Sequence, residues 1–309
     1  MIKLFDDLNK NDADKAGGKG ASLGEMTSAG INIPPGFVVL TEAFENHLLD
    51  NQIDDKIQLI LANTNHQSNQ ELENSSAKIR NLIMHSTLHP ELQKQIMTNF
   101  ERLSASSVAV RSSATAEDSA DAAWAGQLNS YLNTNKNQLI TNIKECWASL
   151  YTSRAIFYSH EKGLQRKKIS VAVVVQKMIQ SDVSGVAFSV HPVTKNPDHL
   201  VIEACFGLGE AIVSGQVTPD YYVVNKKEGF IEEINIAEQS RAFVSQKSGG
   251  HEWVQLKNTY AQKISGSRIL ELAKLVCRIE DHYKFPCDIE WCMEHGKIYI
   301  TQSRPITTL

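Results

Sequence analysis

Residues 108–127 read VAVRSSATAEDSADAAWAGQ, a β-branched apolar start that meets a cation at Arg111 and then runs into small side chains. The first four residues have the composition of a strand end. The small-residue run after them is too poor in large apolar groups to fill a core. A segment of this kind is expected to be held by something other than its own packing, and small residues let backbone N–H groups approach an anion closely.

Upstream lies a second segment of similar character. NDADKAGGKGASLGEMTSAG (11–30) is a polar turn with Gly17, Gly18, Lys19 and Gly20 together, followed by helical spacing through Leu23 and Met26. It lacks the upstream glycine and the Lys-Ser/Thr ending of a Walker A loop. For GGKG alone a plain turn and a phosphate contact are equally compatible. Two glycine- or small-residue-rich segments, each with a cation at its edge, favour phosphate, because glycine is entropically costly where a turn does not need it.

At 309 residues, two lobes with separate cores are expected, since single cores stop growing near about 250–300 residues. The expected division is 1–180, a first lobe with the Gly-rich loops, and 181–309, a second lobe with a polar hairpin. Apolar content of 42%, charged content of 21% and a net charge of −4 argue against disorder, a membrane span or a broad nucleic-acid surface. The start MIKLFDDLNKND has no secretory pattern, so the expectation is a cytoplasmic protein with neither nucleic-acid nor membrane partners. The five cysteines lack zinc-ribbon spacing and are read as free thiols, with CDIEWC (287–292) fitting a strand better than a metal knuckle.

The remaining pattern is mixed. INIPPGFVVLTEAF gives a turn, a strand at Phe37–Leu40 and a helix with Thr41 as its cap; 51–107 is mostly helical, with LANTNHQSNQELENSS (61–76) as a surface connection. One or two helices come after the small-residue run, ended by Gly163. ISVAVVVQKMI, SGVAFSVHPV and HLVIEACFG are buried strands, 220–236 is a hairpin turning at Lys226–Gly229, and ISGSRILELAKLVCRIEDHY is an amphipathic helix. CDIEWCMEHGKIYITQSRP closes as a hairpin turning at Glu294–Gly296.

That last hairpin carries polar groups where a core strand would have none. Asp288 and Glu290 share one strand face, as do Gln302 and Arg304. Carboxylate and amide oxygens are hard ligands that suit Mg²⁺, and an arginine beside them can grip phosphoryl oxygens; a solvated face with an ion pair is the alternative. Backbone groups of Gln176–Ile179 can meet a purine edge, with Met178 or Ile179 over its face, although Met178 alone reads equally as core. None of the ten histidines is assigned a catalytic role, and His191 before Pro192 reads as structural.

In this order, GGKGASLGEM, VAVRSSATAED, AGQ, VVVQKMI, GVAFSVHPVT, FGLGEAIVSGQVTPD and DIEW…QSRP resemble the N-terminal ATP-binding domain of the phosphoenolpyruvate synthase and pyruvate phosphate dikinase family, over nearly the whole chain. The ending is also similar to the rifampicin phosphotransferase branch. The resemblance implies an α+β ATP-grasp fold of two lobes, with ATP and Mg²⁺ as cofactors. It implies phosphate contacts from Lys19 and Arg111, with the loop through Thr115, Gly126 and Gln127 folding over the phosphates; an adenine hinge at Gln176, Lys177, Met178 and Ile179; a ribose contact from Glu203; magnesium ligands Glu290 and Gln302; and Arg304 on the transferring group. Lys19, Arg111 and Arg304 take the catalytic roles in this reading.

Such domains pass the β-phosphoryl of ATP to a histidine on a swivelling domain, releasing AMP and phosphate. That histidine sits in a TCHA-type motif, which does not occur in this sequence. The implied partner is therefore a phosphohistidine-bearing domain, in cis in a longer parent or in trans in a split enzyme, with a stand-alone relic as the third option. The final acceptor would be pyruvate, a rifamycin or another hydroxyl compound.

Overall fold

The computed structural model describes residues 1–115, 118–119, 122–123, 129–163, 169–246 and 250–307. Gly126 and Gln127 fall outside the described residues. The chain has two units: Met1–Gly24 with Pro35–Met178, and Glu25–Pro34 with Ile179–Leu309.

In the first unit the apolar alternation of VAVRSSA and VAVVVQK builds the middle of a sheet. Its strands are β1 (Ile2–Leu4), β2 (Gly36–Val39), β3 (Val108–Ala114), a short pair β4 (Asp118–Ser119) and β5 (Ala122–Ala123), β6 (Ser130–Thr134) and β7 (Val171–Lys177). The five-stranded order is β1-β2-β7-β3-β6, antiparallel throughout, while β4 and β5 pair only with each other. α1 is Ala13–Ser28, followed by α2 (Thr41–Asp50), α3 (Asp54–Ala62), α4 (Asn69–His85), α5 (Pro90–Arg102), α6 (Leu139–Ala148) and α7 (Ser153–Glu161).

One face of this sheet is the core. Phe37, Val39, Val108, Val110, Val171, Val173 and Val175 point to one side and bury against Phe44, Ile79, Ile96, Ile143 and Trp147 of the helices. Alternate residues point the other way, so Val38, Val174, Arg111 and Ser130 form a single cross-strand row on the opposite face.

Two local expectations are corrected. Thr41 is the first residue inside α2, with Leu40 in the cap position, and its hydroxyl donates to Asp14 O at 3.4 Å. The stretch 61–76 is not a single connection, because α4 begins at Asn69, capped by the Ser68 hydroxyl accepting from Glu71 N. Polar composition hid the start of a helix whose buried face is carried by Leu72, Ser75, Ser76, Ile79 and Ile83, two of them serines.

The second unit contains β8 (Val183–Phe188), β9 (His199–Phe206), the short α8 (Glu210–Val213), β10 (Asp220–Asn225), β11 (Phe230–Asn235), β12 (Arg241–Ser245), β13 (His251–Gln255), α9 (Gly266–Tyr283), β14 (Cys287–Glu294) and β15 (Lys297–Pro305). Six strands form an antiparallel sheet in the order β11-β10-β9-β8-β14-β15, and β12 pairs with β13. α9 buries Ile269, Leu272, Ala273, Val276 and Ile279, a helical stripe that contributes about 2 kcal/mol for each large apolar side chain. It packs on the face that carries the fully buried row Ala187, Ile202, Tyr222 and Ile289; from that same face the Ser189 hydroxyl donates to Glu280 of α9 at 2.9 Å.

The β14–β15 turn is tight, with positive φ at His295 (50°) and Gly296 (77°). Between Glu290 and Trp291 the register slips: Glu290 faces Gln302, but Trp291 faces Ile300, leaving Thr301 as the extra residue of a bulge. The CDIEWC cysteines lie on β14, and burial pushes the Cys287 and Cys292 thiols up to about 12. Among the described residues no helix is long and apolar enough to cross a membrane.

Candidate functional site

In the first unit, the two cation-edged segments meet. Gly17 has φ 67° and ψ 171°, which breaks α1 and starts a fresh helical turn at its glycine pair. A Cβ at Gly17 would lie 2.2 Å from Ser113 O, so only glycine permits this approach. Two residues beyond Arg111, the Ser113 hydroxyl accepts from Gly20 N at 3.3 Å. The turn bearing Lys19 thus docks on the strand face that bears Arg111, opposite the helical core. Arg111 is buried at 9% exposure, so its guanidinium is fixed by its surroundings rather than solvated freely. Just past β3, Thr115 donates its backbone N–H to Ser170 O at 3.1 Å, which ties the end of β3 to the residue before β7.

At the end of β7, Lys177 N donates to Pro35 O at 2.8 Å and Met178 N to Ser107 O at 3.1 Å. Those two amides are therefore occupied within the protein, and any purine contact from Gln176–Ile179 has to use other groups of the segment. Gln176 and Ile179 are both buried.

In the second unit the polar residues of four strands fall into line. Register pairs Tyr221 with Glu203, Glu203 with Val186, Val186 with Glu290 and Glu290 with Gln302, so all five side chains stand in one row on one sheet face. Glu203 and Glu290 are two strand spacings apart, about 9.6 Å, while Glu290 and Gln302 are immediate neighbours. Asp288 sits one step along the same face and is directly opposite Arg304. Arg304 donates from Nε (2.8 Å) and Nη2 (2.7 Å) to Asp288 Oδ2.

These acids repel one another. Burial raises the Asp288 carboxyl above its ordinary value; Arg304 opposes that rise and Glu290 adds to it. Burial, then the Asp288 charge, raises Glu203. A half-buried acid cluster with an amide beside it is a donor set that fits a hard divalent cation, which would relieve the repulsion, and Glu290 with Gln302 are the immediate pair to hold it. Among the described residues no group of three or more His, Cys, Asp or Glu is placed to enclose a metal, so such an ion would have to complete its shell from water and ligand oxygens.

Raised carboxyl pKa values make stability depend on pH. A carboxyl whose folded pKa lies above its unfolded value contributes most to stability below the unfolded value, and that contribution is lost as pH rises through the folded one. In metal-free buffer, urea midpoints are therefore expected to fall as pH climbs just above the ordinary carboxylate range. Glu203→Gln is expected to flatten that fall and to raise the midpoint at neutral pH; an unchanged pH profile would show that these acids are not strained.

The sequence alone marks Asp288 only as a face-mate of Glu290. Its grip on Arg304 becomes visible from the hairpin register, once the bulge is counted.

The family described as "Pyruvate phosphate dikinase, AMP/ATP-binding domain" matches residues 13–309. The chain is 42% identical to a probable phosphoenolpyruvate synthase of Methanocaldococcus jannaschii and 39% identical to the phosphoenolpyruvate synthase of Pyrococcus furiosus, over all of this chain but 27% and 44% of those proteins. It is 37% identical to the rifampicin phosphotransferase of Bacillus subtilis, again over all of this chain and 36% of that protein. The chain thus spans less than half the length of these relatives. With likeness sustained from the GGKG turn to the terminal hairpin, the chain belongs to the pyruvate phosphate dikinase AMP/ATP-binding domain family.

Proposed function

We propose that this chain is the ATP-binding domain of a dikinase-type phosphotransferase, with an ATP-grasp arrangement in which both units serve one Mg–ATP. The observation that carries the reading is the row Glu203, Val186, Glu290, Gln302 with Arg304 beside it, because it offers a metal pair, a cation and a second acid at nucleotide-sized spacing. The docked Lys19 turn and Arg111 supply the opposite charge in the other unit.

In this reading Lys19 and Arg111 bind phosphate oxygens and Thr115 anchors the loop that includes Gly126 and Gln127. Gln176–Ile179 borders the base and Glu203 takes the ribose. Glu290 and Gln302 hold magnesium, which when bound neutralises charge on the phosphates. Asp288 orients Arg304 so that its guanidinium meets the group being transferred. The β-phosphoryl goes to a histidine on a separate swivelling domain, in cis or in trans; AMP leaves, and one water takes the γ-phosphoryl as phosphate.

Arg111→Ala and Glu290→Gln are each expected to weaken Mg–ATP binding at least tenfold, about 1.4 kcal/mol, by isothermal titration. Supplied with ATP, magnesium and the histidine-bearing domain of a relative, the protein should give phosphohistidine, AMP and phosphate. ADP as the nucleotide product, or wild-type affinity in both variants, would sink the assignment.

A further inference from the structure

On the helical side of the first unit is a pocket of about 830 Å³, within the range of small-molecule sites. Its walls include Phe44, Leu48, Leu61, Leu150 and Ile156, and its polar groups include Asp54, Tyr151, His66, His160 and Ser170. None of the phosphate-facing or acid-row residues lines it. The pocket lies on the α2–α7 side of the sheet, whereas Arg111 points to the other side.

Two buried polar atoms in its lining, Ser170 Oγ and His66 Nδ1, have no hydrogen-bond partner among the described residues. Ser170 is only 5% exposed. It cannot easily shift to find a partner, because its backbone is tied on both sides to Thr115: its N–H donates to Thr115 Oγ1 at 3.3 Å and its carbonyl accepts from Thr115 N at 3.1 Å. Leaving such a hydroxyl dry is costly, and native proteins seldom do so without a ligand or water to meet it.

The charge of the lining selects the ligand. His66 is stacked on His160 with ring centroids 3.9 Å apart, and burial followed by the neighbouring imidazole lowers its pKa, which favours the neutral ring. Glu45 and Asp54 also line the pocket, and no lysine or arginine among the described residues does. Among the described lining residues the permanent charges are negative, which favours a cation over an anion. An amine would find Asp54 beside the Tyr151 phenol, with Ser170 and His66 available as acceptors.

We infer that this pocket is a binding site for a small amphipathic amine, an apolar or aromatic body seated between α2, α3, the Leu150–Tyr151 turn and α7 with its ammonium group toward Asp54. It is independent of the nucleotide reading and would stand if that reading failed.

The test uses the 309-residue chain and three probes that share a phenyl body: 2-phenylethylamine, 2-phenylethanol and 3-phenylpropionate. By titration calorimetry or ligand-observed NMR, the amine is expected to bind with Kd below about 1 mM and the carboxylate at least tenfold more weakly. Asp54→Asn should erase the preference for amine over alcohol. Ser170→Ala should weaken amine binding several-fold without lowering the thermal midpoint of the free protein, because it removes an unsatisfied hydroxyl rather than a bond. Equal affinity for the three probes, no binding by the amine up to about 10 mM, or amine binding unchanged in both variants would overturn the inference.

Discussion

Asp220→Ala is expected to be the most damaging single substitution in the second unit, lowering stability by about 3–5 kcal/mol, the range for stripping one partner from a buried ion pair. Asp220 and Lys263 are both fully buried, 2.8 Å apart. Each also makes further hydrogen bonds. Asp220 accepts from Ala237 N at 2.9 Å, Lys263 N at 2.9 Å and the Tyr222 hydroxyl at 2.7 Å, while the Lys263 ammonium donates to Ala237 O at 2.6 Å. Removing the carboxylate leaves an ammonium, a phenol and two amides without their acceptor in a dry site. A urea melt of Asp220→Ala should show the loss, and the double variant Asp220→Leu/Lys263→Met should recover most of it. A double variant as unstable as the single one would mean that packing, not uncompensated charge, sets the cost.

Gly185→Ala is the second large effect, at roughly 3 kcal/mol, the upper end for overpacking. In β8 a Cβ at Gly185 would stand 1.8 Å from Glu203 O and 3.0 Å from the Trp291 ring. Neither neighbour can give way easily, since one is main chain of the paired strand and the other is a buried indole. The strand must move. Because β8 lies between β9 and β14, the displacement separates Glu203 from Glu290, so the variant should lose Mg–ATP affinity as well as stability. Measured together, a thermal midpoint near wild type with normal nucleotide binding would contradict this placement of β8.

How much of the fold and the site is legible in the sequence depends on sequence distance. The β14–β15 hairpin, α9 and the strand character of VAVVVQKMI are written in local alternation and spacing, and the structure places them where those patterns fall. Glu290 facing Gln302 is likewise a property of one hairpin. The acid row is different: Glu203 reaches Glu290 through Val186, so its formation requires β8 to insert between two strands that are far apart in sequence, and no local pattern specifies that. The docking of Gly17 and Gly20 on Ser113 joins residues separated by more than ninety positions, and only the paired glycines hint at a close approach. Membership of Glu25–Pro34 in the second unit, anchored by Asn32 O accepting from Ile300 N at 3.0 Å, has no signal in composition at all.

The bulge at Thr301 makes strand length a functional variable. Residues 298, 300, 302 and 304 are all even-numbered, so an unbroken β15 would send Ile298 and Ile300 to the same side as Gln302 and Arg304. The single surplus residue rephases the strand, letting its first half serve the hydrophobic interior and its second half serve chemistry. Length at this point is therefore as tightly specified as residue type: deleting Thr301 would force a choice between turning two isoleucines out of the hydrophobic interior and turning an amide and a guanidinium into it.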